Sequence, residues 1–304
     1  MNLNVTNKLI KKTRRWQKKT GLSLFQRAAE HFEQKKKETL FGVIDALKIQ
    51  PESASNTEPA QSRIIWICWF QGLESAPELV KRCIDSVYKH SNSYKVVIIT
   101  EDNFSDYVLL PFNIVEKYNL GLIGKAHFSD LLRCCLLYKY GGVWLDSTMF
   151  LIHDLPSCFL SNSFCSLRFT SEECSGVISK GFWTTYTLAS EKNGYLIGNV
   201  MNTLLKYWEK YDSIIDYFLL DYIFCYFFEK DKCSRDIILS QPVLGENRFL
   251  LRRNMSNFFS IELTEKFLAD HIGIYKLSYK DSYRTADNGK PTLYSQILDD
   301  TFRL

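Results

Sequence analysis

The run Ser129-Asp130-Leu131-Leu132-Arg133 is followed closely by Tyr140-Gly141-Gly142-Val143-Trp144-Leu145-Asp146. It holds one acid–base pair and one further acid. Arg133 suits two-pronged contacts with oxyanions better than a lysine would. Asp130 and Arg133 lie three apart, on one face of a predicted helix over 129–139. That helix is about 16 Å long at about 1.5 Å per residue. A strand over 142–146 is also about 16 Å long at about 3.3 Å per residue. The chain runs down the helix, turns at Gly141-Gly142 and returns. Helix start and strand end therefore meet near one edge, with Asp146 at the strand's carboxyl end, where open α/β sheets place ligands. Asp130 could be only a first-turn acid favoured by the helix dipole, with Arg133 as its surface partner. That explanation loses ground because Asp146 arrives at the same edge.

Several elements must support this unit. Residues 1–49 read as helical, with a break at Gly21, and Pro51–Ser62 reads as a linker. Arg63–Trp69 and Tyr94–Thr100 read as buried strands. Ala76–Lys89 between them reads as a helix, and Phe104–Tyr118 as helical in pieces divided at Pro111. Phe164–Phe169 is a further candidate strand, Asn199–Tyr211 and Ser213–Phe228 are aromatic helices, and Asp270–Tyr279 is short and alternating. Strand–helix–strand–helix near the front implies a mostly parallel central sheet flanked by helices, an α/β fold. The domain reading is a basic helical arm at 1–50, a linker at 51–62 and an enzyme domain at 63–304, with 63–155 on the donor side and 156–304 on the acceptor side.

Composition narrows the class. The 304 residues are 46% hydrophobic and 14% aromatic, which marks a globular protein. The nine cysteines are scattered, two of them adjacent at Cys134-Cys135, so reduced thiols in a cytoplasmic setting are expected. No zinc spacing, Walker loop or Gly-x-Gly-x-x-Gly occurs. No apolar run reaches the roughly 20 residues of a membrane span; Ile214–Phe228 is interrupted by Asp216 and Asp221. The net charge of +4 is uneven: residues 1–50 carry twelve Lys/Arg and four acids, so +8, leaving −4 for the rest. Such a cluster favours an anionic surface, at about 1 kcal/mol per basic residue beside an anionic membrane. Trp16, Leu22, Leu24 and Phe25 are interleaved and could seat in a lipid interface. The alternative is a solvated arm packed on the main domain. No recognition module supports a nucleic-acid partner.

The segment SDLLRCCLLYKYGGVWLDSTMFL, preceded by IIWICWFQG, resembles the capsular polysaccharide synthesis glycosyltransferases, which are similar to glycosyltransferase family 32 and more distantly to the glucosylating bacterial toxins. The likeness covers residues 63–155 well, 180–280 loosely and 1–60 not at all. It implies a GT-A fold and transfer of a sugar from a nucleotide donor, a UDP-sugar foremost, usually with Mn²⁺ or Mg²⁺ and with retention of anomeric configuration. The leading reading is a transferase that extends a lipid-linked or oligosaccharide acceptor, in the cytoplasm or at the inner membrane leaflet on the strength of the basic arm and the absence of an apolar span. By position, Asp130 and Arg133 would bind donor hydroxyls and diphosphate, with Ser129 beside them. Asp146 would be the first acid of Asp-x-Asp, and Trp69 would lie beside the base. Asp146-Ser147-Thr148 puts a hydroxyl where that motif has its second acid, a poorer ligand for a hard cation. His271-Ile272-Gly273-Ile274-Tyr275-Lys276 resembles a family 8 element in which a histidine binds metal and a lysine binds diphosphate, with a glycine that lets backbone approach phosphate.

The transfer chemistry has two demands. Negative charge grows on the leaving diphosphate, where a metal, Arg or Lys helps. Positive charge grows on the sugar ring, where a carboxylate helps. Asp216 and Asp221, in DYFLLDYIF, are acidic candidates on the acceptor side, or ordinary helix-face residues. Gln71-Gly72 could turn under the base or simply end the strand. His127 could approach phosphate or be a loop residue. His153 and Asp154 read as surface turn residues. Asp102 and Asn103 stand where ribose could bind, or cap a helix. Competing functions are a non-catalytic nucleotide-sugar-binding protein, motivated by the missing second acid, and a peripheral membrane interaction protein.

Overall fold

The computed structural model describes residues 3–50, 62–171 and 176–303. Most of the 51–62 linker therefore lies outside the described residues. The chain opens with a helical hairpin, α1 (Leu3–Thr20) and α2 (Ser23–Asp45). A first α/β run follows: β1 (Ile64–Cys68), α3 (Glu78–Lys89), β2 (Lys95–Ile99), the short α4 (Phe104–Tyr107) and α5 (Phe112–Asn119), α6 (Lys125–Tyr140) and β3 (Gly142–Leu145). Next come β4 (Met149–Leu151), α7 (Cys158–Ser161), β5 (Phe164–Ser166) and β6 (Thr187–Ser190). The remainder is helix-rich: α8 (Tyr195–Lys210), α9 (Leu219–Lys230), α10 (Lys232–Ser240), α11 (Leu250–Asn254) and α12 (Ile261–Leu268), then β7 (Ile274–Lys276).

The main sheet has the order β2-β1-β3-β6-β5. β2, β1 and β3 are parallel, as the strand–helix–strand pattern requires, and β6 and β5 extend the sheet antiparallel. Trp66 of β1 stands level with Trp144 of β3, so Cys68 ends β1 at the height of Asp146. Glycine is required at 142. Its φ is 98°, and a Cβ there would lie 2.4 Å from the Ile64 carbonyl oxygen. That close approach lets β3 pair with β1 directly after the turn. β4 leaves the main sheet and pairs antiparallel with β7, placing Met149 opposite Lys276.

One large cluster joins the inner faces of α6, α8 and α9 to the sheet, and it includes Phe41, Ile44 and Leu47 from the amino-terminal region. Of the two readings of the basic arm over 1–50, its second half follows the packed one. α2 lies along α9: Lys36 pairs with Asp216 at 2.6 Å, Phe41 meets Tyr226 edge-to-face at 5.2 Å, and Tyr226 Oη donates to Asp45 at 2.6 Å. Apolar burial, not charge, decides the position of this helix.

Several boundaries also move. α6 begins at Lys125, which brings His127 into its first turn. Residues 211–218 form a loop, so Asp216 is not on a helix face, and Asp221 falls in the first turn of α9.

Candidate active site

The expected meeting of Asp130, Arg133 and Asp146 is present. Arg133 Nη2 lies 3.2 Å from Asp130 Oδ1 and 3.5 Å from Asp146 Oδ1. Arg133 is buried. Its Nη1 donates to the Thr185 carbonyl, and its guanidinium lies over the Trp144 ring, 4.9 Å from the centroid. Burial works against this charge, but Asp130 and Asp146, with Asp221 farther off, outweigh it and raise the Arg133 pKa.

Asp146 sits just past β3, its amide donating to the Tyr186 carbonyl at 2.9 Å. Trp144 Nε1 donates to Asp146 Oδ1 at 3.0 Å. Lys276 Nζ donates to Asp146 Oδ2 at 2.7 Å and to Thr148 Oγ1 at 2.8 Å. Burial disfavours the Asp146 carboxylate, but Lys276 and then Arg133 hold its pKa below the ordinary value. Thus the residue matching the second acid of Asp-x-Asp binds an ammonium. Lys276 reaches this point because β7 pairs with β4, which starts beside Asp146.

Asp221 joins from α9 and accepts a hydrogen bond from Trp183 Nε1 at 3.1 Å. Burial, and then the nearby Asp130 charge, push its pKa from 3.8 to about 7. Asp216 does not join; it is buried against Lys36. His127 is neither a loop residue nor a free phosphate ligand. It is buried, with Nδ1 3.6 Å from Asp130 Oδ2 and its ring against Tyr217.

On the donor side, Ser129 hydrogen-bonds the Cys68 thiol, whose pKa burial pushes up to about 12. Trp69 follows β1, donates its amide to Ile99 at 2.9 Å and meets Tyr279 edge-to-face at 5.6 Å. Its indole Nε1 is buried without a partner. Gln71 is exposed in the turn that follows. Asn103 is spent on its own turn, accepting from Thr100 N and donating to the Ile98 carbonyl. A hollow of about 330 Å³ opens beside the start of α6, lined by Glu101, Tyr118, Gly121 and Lys125 among others, and no member of the acid cluster lines it.

Among the described residues no three His, Cys, Asp or Glu side chains converge as metal ligands. The two groups of the Asp-x-Thr pair already share the Lys276 ammonium. His271 is exposed and lies five residues before Lys276, past the far end of β7. Gly273 has its own reason: with φ at 61°, a Cβ there would lie 2.5 Å from Ile152 and 2.7 Å from the His153 ring. It allows close packing against the end of β4, far from the acids. Sequence reasoning missed Trp144, Trp183, Tyr186 and Arg248. Buried Arg248 stacks on Phe169, 3.4 Å from the ring centroid, and hydrogen-bonds Tyr186, over whose ring Lys276 Nζ sits at 5.2 Å. Trp144 belongs to the same helix–turn–strand unit as Asp146, whereas no spacing marks Trp183, Tyr186 and Arg248, which the long-range pairing of β6 and β7 with β3 and β4 brings in.

The profile of the family described as "Capsular polysaccharide synthesis protein" matches residues 18–297. That span takes in all of α2, so the family likeness reaches into the segment expected to lie outside it. The glycosyltransferase afumC of Aspergillus fumigatus is 26% identical over 161 residues, half of this chain. The match spans 40% of that relative's length. Among solved structures, the PaToxG glycosyltransferase is similar over 67% of this chain and 82% of its own, with a TM-score of 0.41 and 14% identity.

Proposed function

We propose that this chain, which belongs to the family of capsular polysaccharide synthesis proteins, is a glycosyltransferase acting on a nucleotide-sugar donor, a UDP-sugar foremost. The acceptor in this reading is a growing, lipid-linked surface polysaccharide, and the anomeric configuration is retained. One observation carries the proposal: Asp130, Arg133, Asp146 and Lys276 interlock at the carboxyl ends of parallel strands, with the acidic Asp221 alongside.

The roles follow from exposure and charge. The Lys276 side chain is 19% exposed and that of Arg133 only 8%. Lys276 is therefore the cation a diphosphate reaches, and it meets the charge that grows there as the bond to the anomeric carbon lengthens. Arg133 is a positioning residue. It aims Asp130 and Asp146 at the sugar hydroxyls and at the positive charge of the ring. The carbon–oxygen bond to the diphosphate breaks, the acceptor oxygen bonds to the same face, and its proton passes to the departing diphosphate oxygen. Asp221 holds that acceptor hydroxyl by a hydrogen bond. Trp69 flanks the base.

Calorimetric titration with UDP-glucose, UDP-galactose, UDP-N-acetylglucosamine and GDP-mannose, each with Mn²⁺ and with EDTA, tests the reading. At least one donor is expected to bind, and to bind in EDTA. No binding of any of them under either condition overturns the proposal. Binding without transfer or hydrolysis, unaffected by Asp146→Asn, would instead favour a non-catalytic binding protein.

We also place the activity at an anionic membrane surface. Among the described residues no helix is long and apolar enough to cross a membrane. Residues 1–29 contain eight Lys/Arg and no Asp or Glu. Trp16, Leu22 and Leu24 are exposed at the turn of the hairpin, with Lys18, Lys19 and Arg27 around them. Ser23, at the start of α2, lies about 20 Å from Lys36 along that helix, at about 1.5 Å per residue. Sedimentation with phosphatidylglycerol vesicles is the check. Lys18→Ala with Lys19→Ala is expected to weaken binding roughly 30-fold, at about 1 kcal/mol per lost charge. Equal binding to phosphatidylcholine vesicles would reject an electrostatic surface.

A further inference from the structure

We propose that Tyr217 and Phe218 form a stacking platform for a sugar ring of the acceptor, a saccharide subsite beside the acid cluster. The proposal rests on the glycosyltransferase reading, since it assigns the acceptor's place at the same site. Most aromatic side chains of this region are buried, among them Tyr207, Trp208 and Tyr222. Tyr217 and Phe218 are instead 65% and 51% exposed, and their rings meet edge-to-face at 5.2 Å.

The segment that carries them is held on both sides. Tyr207 Oη donates to the Ser213 carbonyl at 2.7 Å and accepts from Ile215 N at 2.8 Å. Asp216 Oδ1 accepts from Phe218 N at 3.1 Å, while its Oδ2 pairs with Lys36. Two large rings are thus kept in water on a rigid loop, an arrangement that lowers the ordering cost of binding. Their position is the second part of the argument. Tyr217 packs edge-on against His127, 5.5 Å between ring centroids, and His127 faces Asp130. Asp221 follows Phe218 by three residues and reaches the same cluster.

The chemistry selects the ligand. An aromatic face is electron-rich and attracts the weakly positive C–H face of a pyranose. The carboxylates of Asp130 and Asp221 can take hydroxyl donors at the ring's edge and repel an anionic ligand. A neutral saccharide fits both; an anionic lipid headgroup fits neither.

Saturation-transfer NMR with disaccharides of glucose, galactose and N-acetylglucosamine, in the presence of UDP, provides the test. The full chain is expected to bind at least one of them, with Tyr217→Ala and Phe218→Ala each weakening binding about tenfold, the equivalent of ~1.4 kcal/mol. Tyr217→Phe should retain most of the affinity, and thermal unfolding of all three variants should match the parent. UDP affinity is the control and should stay within about twofold. The platform is overturned if no disaccharide binds, if both alanine variants bind like the parent, or if they weaken vesicle binding instead. Disaccharide binding that needs Tyr217, in a protein that binds no nucleotide-sugar, would leave the platform standing and remove the transferase reading.

Discussion

The helical hairpin α1–α2 and the acid cluster at the end of β3 both depend on charge, and they use it in opposite ways. In the hairpin, Arg14 grips Glu33 with two hydrogen bonds of 2.9 and 2.8 Å, side chains 24% and 32% exposed, and most neighbouring cations face water. In the cluster, Arg133 meets Asp130 and Asp146 at longer distances, 3.2 and 3.5 Å, but at 8% exposure and stacked on an aromatic ring. The better hydrogen-bond geometry belongs to the pair with less at stake. Water screens Arg14 and Glu33 and would solvate either partner left alone. Nothing solvates Arg133 if its carboxylates go. The hairpin therefore offers charge to a partner, whereas the cluster uses charge to fix its own side chains.

The largest break in that contrast is Asp146→Asn. It removes the carboxylate that Lys276, Arg133 and Trp144 share, and transfer is expected to fall about 10²–10³-fold, the scale of losing one preorganised electrostatic contact. Lys276→Met should cost as much in transfer while leaving thermal stability closer to the parent, because Asp146 keeps Arg133. Initial-rate assays with melting curves separate the two. Equal melting losses would show that Lys276 is structural and not the diphosphate's partner.

A middle-sized effect separates two acids inside the cluster. Asp146 is held below the ordinary carboxylate value, whereas Asp221 is raised from 3.8 to about 7. For Asp221 the folded state binds its proton more tightly than the unfolded chain does. Its contribution is fully present below about pH 4 and is lost as pH rises through about 7. For Asp146 the sign reverses: its contribution is present above its ordinary value and lost as pH falls through the lower folded one. Asp221→Asn should therefore gain stability over the parent between pH 5 and 8, by at most about 4 kcal/mol at ~1.4 kcal/mol per pH unit. Denaturant midpoints at the two pH values measure it. A constant difference between variant and parent would mean that Asp221 titrates as an ordinary surface acid.

The same contrast explains what could be read from the chain. Asp130, Arg133 and Asp146 were legible because one helix, one turn and one strand bring them together, and rise per residue fixes the distances. Lys276 was legible only through a resemblance, since its contact with Asp146 spans 130 residues. The histidine of that same short motif lies away from Asp146, because β7 runs antiparallel to β4 and carries the residues before Lys276 toward the far end of β4. Arg248 and Trp183 left no pattern at all. β5 falls within the strand expected at 164–169, but β6, of four residues, is too short for periodicity to announce. α2 left two readings open for another reason: its charge was conspicuous, while Leu40, Phe41 and Ile44 on its hidden face decide where it docks.

The smallest expected effect sharpens the comparison most. Arg14→Ala removes an ion pair with good geometry at a site that water reaches. Exposed pairs of this kind contribute about 0.2–1 kcal/mol, and the two-pronged contact puts this one at the upper end. The loss should shrink further in 0.5 M salt, where the screening length falls to roughly 4 Å. Arg133→Ala, with longer contacts, should cost about 3–5 kcal/mol and respond little to salt, because ions cannot enter the space it leaves. Melting curves of both variants at low and high salt decide the matter. If Arg14→Ala proved the costlier, the hairpin would be an integral part of the folded core and not a surface held out to a partner, and the membrane assignment would lose its structural basis.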